Sequence, residues 1–279
     1  MESHKKLHDY HLVDPSPWPF LSAFAAMGMF AGLALFVNGK PHVGIPLGAA
    51  GLASVLLMMF VWWRDVVREG VREHNHTSVV RRGLRLGMAL FIMSEVMFFF
   101  AFFWSFFKAA LSPVLQFDGA TIFTSDKVAP GIWPPAHIPT LDAWDVPFLN
   151  TVILLLSGTT VTWAHYCLHH GRRKETLRAL GITILLGIAF TGLQAIEYAH
   201  AEFGFKEGIY PSNFYMATGF HGAHVIIGTL FLTVCWLRIR KGQMLPPQGN
   251  LGFEFAAWYW HFVDVVWLFL FSGVYVFGS

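Results

Sequence analysis

Seven long apolar runs, separated by short polar stretches, account for most of the chain. They cover roughly 18–38, 42–63, 84–111, 146–168, 177–201, 211–237 and 252–277. A helix that crosses the hydrocarbon of a bilayer needs about 20 apolar residues, so each run predicts one transmembrane helix. The link between the first two, Asn38 to Pro41, is too short for anything but a tight turn, which predicts an antiparallel pair. Gly44, Pro46, Gly48 and Gly51 in the second run allow close packing or a bend. The longest polar stretch, 112–145, carries Pro113, Pro130, Pro134, Pro135 and Pro139 and predicts an irregular loop outside the bilayer core. No long soluble insert or internal repeat interrupts the pattern, so the chain reads as one membrane domain over 1–279. Met1 to Pro19 is polar and broken by Pro15, Pro17 and Pro19, so the first run is expected to stay as a membrane helix and not to be cleaved as a signal.

Composition agrees. Hydrophobic residues make up 55% of the 279 positions and charged residues only 13%, too few to clothe a water-facing surface. A net charge of +2 gives no reason to expect a nucleic-acid partner. Cys167 and Cys235 lie in or beside apolar runs, form no CxxC motif, and read as small buried hydrophobes. The distribution of basic residues says more than their sum. With the N-terminus inside, fifteen of the nineteen lysines and arginines fall on inner segments and four (Lys40, Lys108, Lys127, Lys206) on outer ones. The positive-inside rule therefore predicts a cytoplasmic N-terminus, an odd number of spans and a C-terminus on the opposite side.

Several polar residues interrupt the runs. Glu95 sits near the middle of the third, with Phe91, Ile92, Phe98 and Phe99 as its helical neighbours and only Ser94 as a local partner. An ionised carboxylate is costly there, so Glu95 either stays neutral or faces a polar cavity or a partner helix. His261 and Asp264 share one face of the seventh run, and Glu254 lies seven residues earlier on that face. Glu197 and His200 form an ExxH spacing in the fifth run, and His221 and His224 an HxxH spacing in the sixth. ExxH is the repeating unit of di-iron carboxylate bundles, which need two such units and two further glutamates. These four residues could meet around a metal only if the fifth and sixth helices pack together; the alternative is hydrogen bonding between helices. His165, His169 and His170 resemble one histidine box of the membrane desaturases. Those enzymes need about eight ligands on one face, and only His74 and His76 are available nearby. No phosphate-binding loop or nucleophile elbow is present. At the inner rim, Trp62, Trp63, Arg64, Arg68, Glu69, His76, Arg81, Arg82, Arg85, Arg238, Arg240 and Lys241 would suit either anionic lipid headgroups or plain positive-inside anchoring.

Taken together, seven strings resemble the subunit III family of the haem–copper cytochrome c oxidases. They are His11 to Pro19, Trp62 to Val66, Phe91 to Phe99, Thr162 to His165, Leu193 to Tyr198, Ala217 to Gly228 and Ala257 to Phe269, colinear from about His11 to the C-terminus. The resemblance implies an all-α integral membrane fold of seven helices in two bundles, helices 1–2 and 3–7, around a lipid-binding cleft. It implies a non-catalytic subunit with no haem, copper or other metal of its own, those centres residing in subunits I and II. In that reading the complex is a proton-pumping oxidase that carries electrons from cytochrome c to oxygen in aerobic respiration. This subunit packs on subunit I, holds structural phospholipid, and supports proton uptake and stability during turnover. Carried over by position, Glu95 matches the family's carbodiimide-reactive intramembrane acid. Trp63, Arg68, Glu69, His76 and Arg238 match positions that hold phosphatidylglycerol-type headgroups. Glu197, His221, His224, His261 and Asp264 match motif positions of structural character. The loop from about 115 to 132 is longer than in compact mitochondrial forms. That points to a bacterial protein, placed in the inner membrane with its N-terminus cytoplasmic and its C-terminus periplasmic. Two other readings compete. A desaturase-type metalloenzyme would need a full set of histidine boxes. A transporter or proton channel would need polar residues repeated along a helix face, whereas Glu95 stands alone on its helix.

Overall fold

A computed structural model of the chain describes residues 10, 15–71, 76–111, 133–135, 138–244 and 251–278. The long loop of 115–132, the His11–Asp14 part of the first motif and His74 lie outside the described residues. Among the described residues, seven helices are long and apolar enough to cross a membrane: α1 (Trp18–Val37), α2 (Pro41–Val71), α3 (Ser78–Leu111), α4 (Val146–His169), α5 (Arg173–His200), α6 (Ile209–Arg240) and α7 (Leu251–Leu270). A π-helical segment, Phe271–Val276, continues α7. No strand occurs among the described residues. The fold class is therefore all-α and membrane-spanning, as lipid demands: a helix satisfies its own backbone hydrogen bonds where no water can.

The chain divides into two compact units, 1–84 and 85–279. In the first, α1 and α2 form an antiparallel pair around glycines. A Cβ on Gly32 would collide with the Gly48 backbone, and one on Gly51 would lie 2.7 Å from the Gly28 carbonyl carbon. The two backbones thus touch directly, a contact only glycine permits. Prolines start both helices: Pro17 precedes α1, and Pro41 opens α2. At the end away from the turn, the Trp18 indole N–H donates to Asp65 Oδ2 at 2.9 Å and ties the start of α1 to α2.

In the second unit, α4, α5, α6 and α7 close a ring in which each packs on the next and α7 returns to α4. Trp260 on α7 is wholly buried within this ring. Its indole N–H donates to Ser157 Oγ on α4 at 2.9 Å. Its six-membered ring lies against Gly187 of α5 and Gly228 of α6, where an added Cβ would come within 2.8 Å of it. One side chain therefore touches all three neighbouring helices. Two turns further along the same helix face, the Trp267 indole N–H donates to Thr151 Oγ1 at 2.8 Å.

Helix α3 packs differently. Its backbone approaches the ring at few points, and only 6% of its apolar window is buried, against 61% for the α7 span. Large aromatic side chains bridge the gap: Phe98 to Phe220, Phe99 to Phe262, Phe103 to Phe269 and Phe107 to Phe277. Near its N-terminal end, Arg85 adds a two-pronged ion pair to Glu254, with nitrogen–oxygen distances of 2.8 and 2.9 Å.

Candidate functional site

The face that α3 turns to α6 carries Glu95, and α6 places His224 opposite it. Glu95 Oε2 lies 2.8 Å from His224 Nε2. Ser94, the only local candidate, instead donates its hydroxyl to the Phe91 carbonyl at 2.7 Å, so it is not the acid's partner. The second nitrogen of the imidazole settles its tautomer. His224 Nδ1 lies 2.6 Å from the Phe220 carbonyl, which can only accept, so Nδ1 carries a hydrogen. A single proton then occupies the contact between Nε2 and Glu95. With the proton on the acid, the pair is neutral; with it on the ring, the pair is a carboxylate and an imidazolium. Aromatic rings surround the contact. Phe99 meets the imidazole edge-on at 5.0 Å, and Tyr259 stacks on it at 6.3 Å with the planes 16° apart. The side chains are 23% and 12% exposed, so both are largely withdrawn from their surroundings. Chemically, the site can hold one proton in a nearly dry setting and shift it across one hydrogen bond.

The other polar residues of the spans go elsewhere. His221, one turn before His224, turns into the four-helix ring, lies between Phe190 and Trp267, and sets Nε2 3.1 Å from the Val263 carbonyl. The HxxH spacing therefore serves two faces of α6 and not one. His200 Nδ1 lies 2.8 Å from the carbonyl of Ile196, on its own helix. Glu197 accepts the Tyr275 hydroxyl hydrogen at 2.6 Å. Among the described residues, no group of three or more His, Cys, Asp or Glu side chains is gathered so as to hold a metal ion. His261 and Asp264 do meet: Nδ1 lies 3.5 Å from Oδ2, and Nε2 lies 3.1 Å from Thr162 Oγ1 of α4. Asp264 is seated against Gly158, where a Cβ would collide with its carboxylate. The His261 side chain nonetheless stays 46% exposed.

Of the rim residues, Trp63, Arg68 and Glu69 lie in the last turns of α2, where Trp63 is 62% exposed. The His76 imidazole rests against Gly70, 2.6 Å from where a Cβ would stand. Arg238 lies in the last turn of α6, within the second unit, with Nε donating to Gln243 Oε1 at 3.2 Å.

Some of these partners could not be read from the sequence. A buried acid signals that it needs a partner, but nothing in the sequence picks His224 from among fourteen histidines. Likewise Glu254, set in an apolar run, demands a cation, and several inner-rim arginines would have served as well as Arg85. Gln194 lay in a motif string without a role, and Tyr275, which also holds Glu197, gave no sequence signal.

The comparisons with known proteins agree with one another. The family model for cytochrome c oxidase subunit III matches residues 8–279. A Rickettsia bellii protein named "Probable cytochrome c oxidase subunit 3" is 58% identical over 275 residues, covering 98% of this chain and 97% of its own. The protein named "Cytochrome c oxidase subunit 3" of Prototheca wickerhamii is 51% identical over 272 residues, covering 98% of each chain. That of Arabidopsis thaliana is also 51% identical over 272 residues, covering 98% of this chain and 97% of its own.

Proposed function

Because the chain belongs to the cytochrome c oxidase subunit III family, we propose that it is the redox-inactive third subunit of a proton-pumping oxidase in a bacterial inner membrane. In this reading it packs on subunit I, in a complex with subunit II, and binds structural anionic phospholipid. It supports proton uptake and protects the complex during turnover. Haem and copper, and the passage of electrons from cytochrome c to oxygen, belong to the partner subunits. The N-terminus faces the cytoplasm and the C-terminus the periplasm, in keeping with the charge distribution along the chain.

The observation that carries this reading is that three of the intramembrane histidines are spread over different partners. His224 is committed to Glu95, His221 to the Val263 carbonyl and His261 to Thr162. Each is spent on a different helix pair, which favours assembly over catalysis. The half-exposed His261 supports docking on a partner. An ionisable side chain on a lipid-facing surface is costly, and a neighbouring subunit's helix would cover it. The test is metal analysis and a reduced-minus-oxidised visible spectrum on the complex purified in mild detergent, repeated after this chain is stripped off. Haem and copper should co-purify and stay with the partners. Iron retained by the isolated chain would overturn the reading in favour of a metalloenzyme.

Lipid binding rests on the rim. Arginines at headgroup depth attract anionic lipid by about 1 kcal/mol each. Replacing both Arg68 and Arg238 with glutamine should lower the phosphatidylglycerol that co-purifies with the complex severalfold, as read by lipid mass spectrometry. An unchanged lipid complement would count against these two positions.

A further inference from the structure

Toward the end of the second unit where α4 begins and α5 ends, several buried polar atoms lack protein partners. Asn150 is fully buried, yet neither Nδ2 nor Oδ1 has a hydrogen-bond partner. Gln194 and Glu197, 5% and 4% exposed, leave Oε1 and Oε2 unpartnered. Their other atoms are well organised. Glu197 Oε1 accepts from the Tyr275 hydroxyl at 2.6 Å and from Gln194 Nε2 at 3.3 Å. Each carboxamide and the carboxylate thus keep buried polar atoms that no protein group serves. Glu197 itself lines a cavity of about 330 Å³, whose walls include Asp142, Asp145, Pro147, Ile196 and His200. Asn150 stands one turn further in than Pro147 on the same buried face of α4, and Glu197 one turn further in than His200 on α5.

We propose that α4, α5 and the π-helical segment enclose a water-binding chamber that keeps Glu197 hydrated and in proton exchange with the aqueous phase beyond the cavity. Water is the ligand the chemistry selects. An Asn side chain offers both donors and an acceptor, and the free oxygens of Gln194 and Glu197 add acceptors; only a small molecule that donates and accepts can serve them all. The cavity volume exceeds the roughly 30 Å³ that a water occupies in the liquid several times over. The titratable groups that face the chamber are Tyr275 from the π-helical segment, Asp142 and Asp145 ahead of α4, and His200 from α5. Tyr198 turns away, donating to Thr218 Oγ1 at 2.6 Å.

The experiment is hydroxyl-radical footprinting of the purified oxidase complex, which labels side chains beside bound water. Tyr275 should be labelled several-fold faster than Tyr210, which is buried to the same extent. A high-resolution map of the same complex should show ordered water within hydrogen-bonding distance of Glu197 and Asn150. Asn150→Leu, which takes away the amide donor and acceptor and leaves an apolar side chain, should bring Tyr275 labelling down to the Tyr210 rate. Should that variant fail to assemble, Ile196→Trp at the cavity wall should do the same from outside. A dry map, or Tyr275 labelled no faster than Tyr210 in the unaltered complex, would overturn the proposal and leave the assignment to the oxidase untouched.

Discussion

Replacing Trp260 with alanine is expected to destabilise the α4–α7 ring by about 3–5 kcal/mol, the usual cost of emptying a large buried aromatic site. The expectation rests on three contacts that fail together. The indole ring fills the space left by Gly187 and Gly228, and its N–H satisfies the Ser157 hydroxyl oxygen. Alanine leaves a void facing two glycines, which have no side chains of their own to fill it. Trp260→Phe separates the two contributions. It keeps most of the filling and loses the hydrogen bond, for a cost of about 1 kcal/mol. Thermal unfolding of the purified complex, with retention of this chain followed on a gel, reads both. The alanine variant should lose the chain from the complex well below the temperature at which the phenylalanine variant does. Equal melting of the two would place the stability of the ring elsewhere.

The second large effect concerns the acid–histidine pair. His224→Leu removes the hydrogen-bond partner of Glu95 and leaves a carboxyl group among phenylalanine rings. The expected cost is about 1–3 kcal/mol, that of an unsatisfied buried polar group. Glu95→Gln should behave differently and leave assembly intact. The amide N–H can donate to His224 Nε2, because Nδ1 already spends its hydrogen on the Phe220 carbonyl. The double variant Glu95→Leu with His224→Leu should recover part of the loss, since neither polar group is then stranded. Retention of the chain on the purified complex measures all three. A Glu95→Gln complex that fails to assemble, or a double variant worse than His224→Leu alone, would show that the contact is not a simple shared-proton pair.

The seven spans were legible because lipid leaves a long apolar run almost no alternative to a helix. The helix ends were less so. α2 continues to Val71 although its apolar run stops near Trp63, and α6 to Arg240 although its run stops near Leu237. Beyond the hydrocarbon, helix propensity and headgroup contacts decide, and hydropathy no longer reports on them. The same division holds for the site. That Glu95 required a partner followed from the cost of a bare acid in lipid. Which residue answered did not, because the contact joins helices whose residues lie 129 positions apart. The His261–Asp264 pair was visible because the two residues are a helical turn apart. The HxxH spacing did not put its two histidines on one face: residues three apart are offset by about 60° around the axis, enough to send His221 into the ring and His224 toward α3.

The π-helical segment after Leu270 changes the phase of the last span. In an α-helix each residue advances about 100°, so Tyr275, eight residues after Trp267, would point roughly 80° away from it. The wider turn, marked by the Phe277 N–H donating to the Ser272 carbonyl five residues back, absorbs one residue. Tyr275 thereby falls into line with Trp267, their ring centroids 5.7 Å apart, and reaches Glu197. The segment acts as a built-in insertion of a single residue. Any alignment or engineered graft that treats this span as one uninterrupted α-helix will place Val274 where the tyrosine belongs, and will leave the buried acid of α5 facing an isopropyl group.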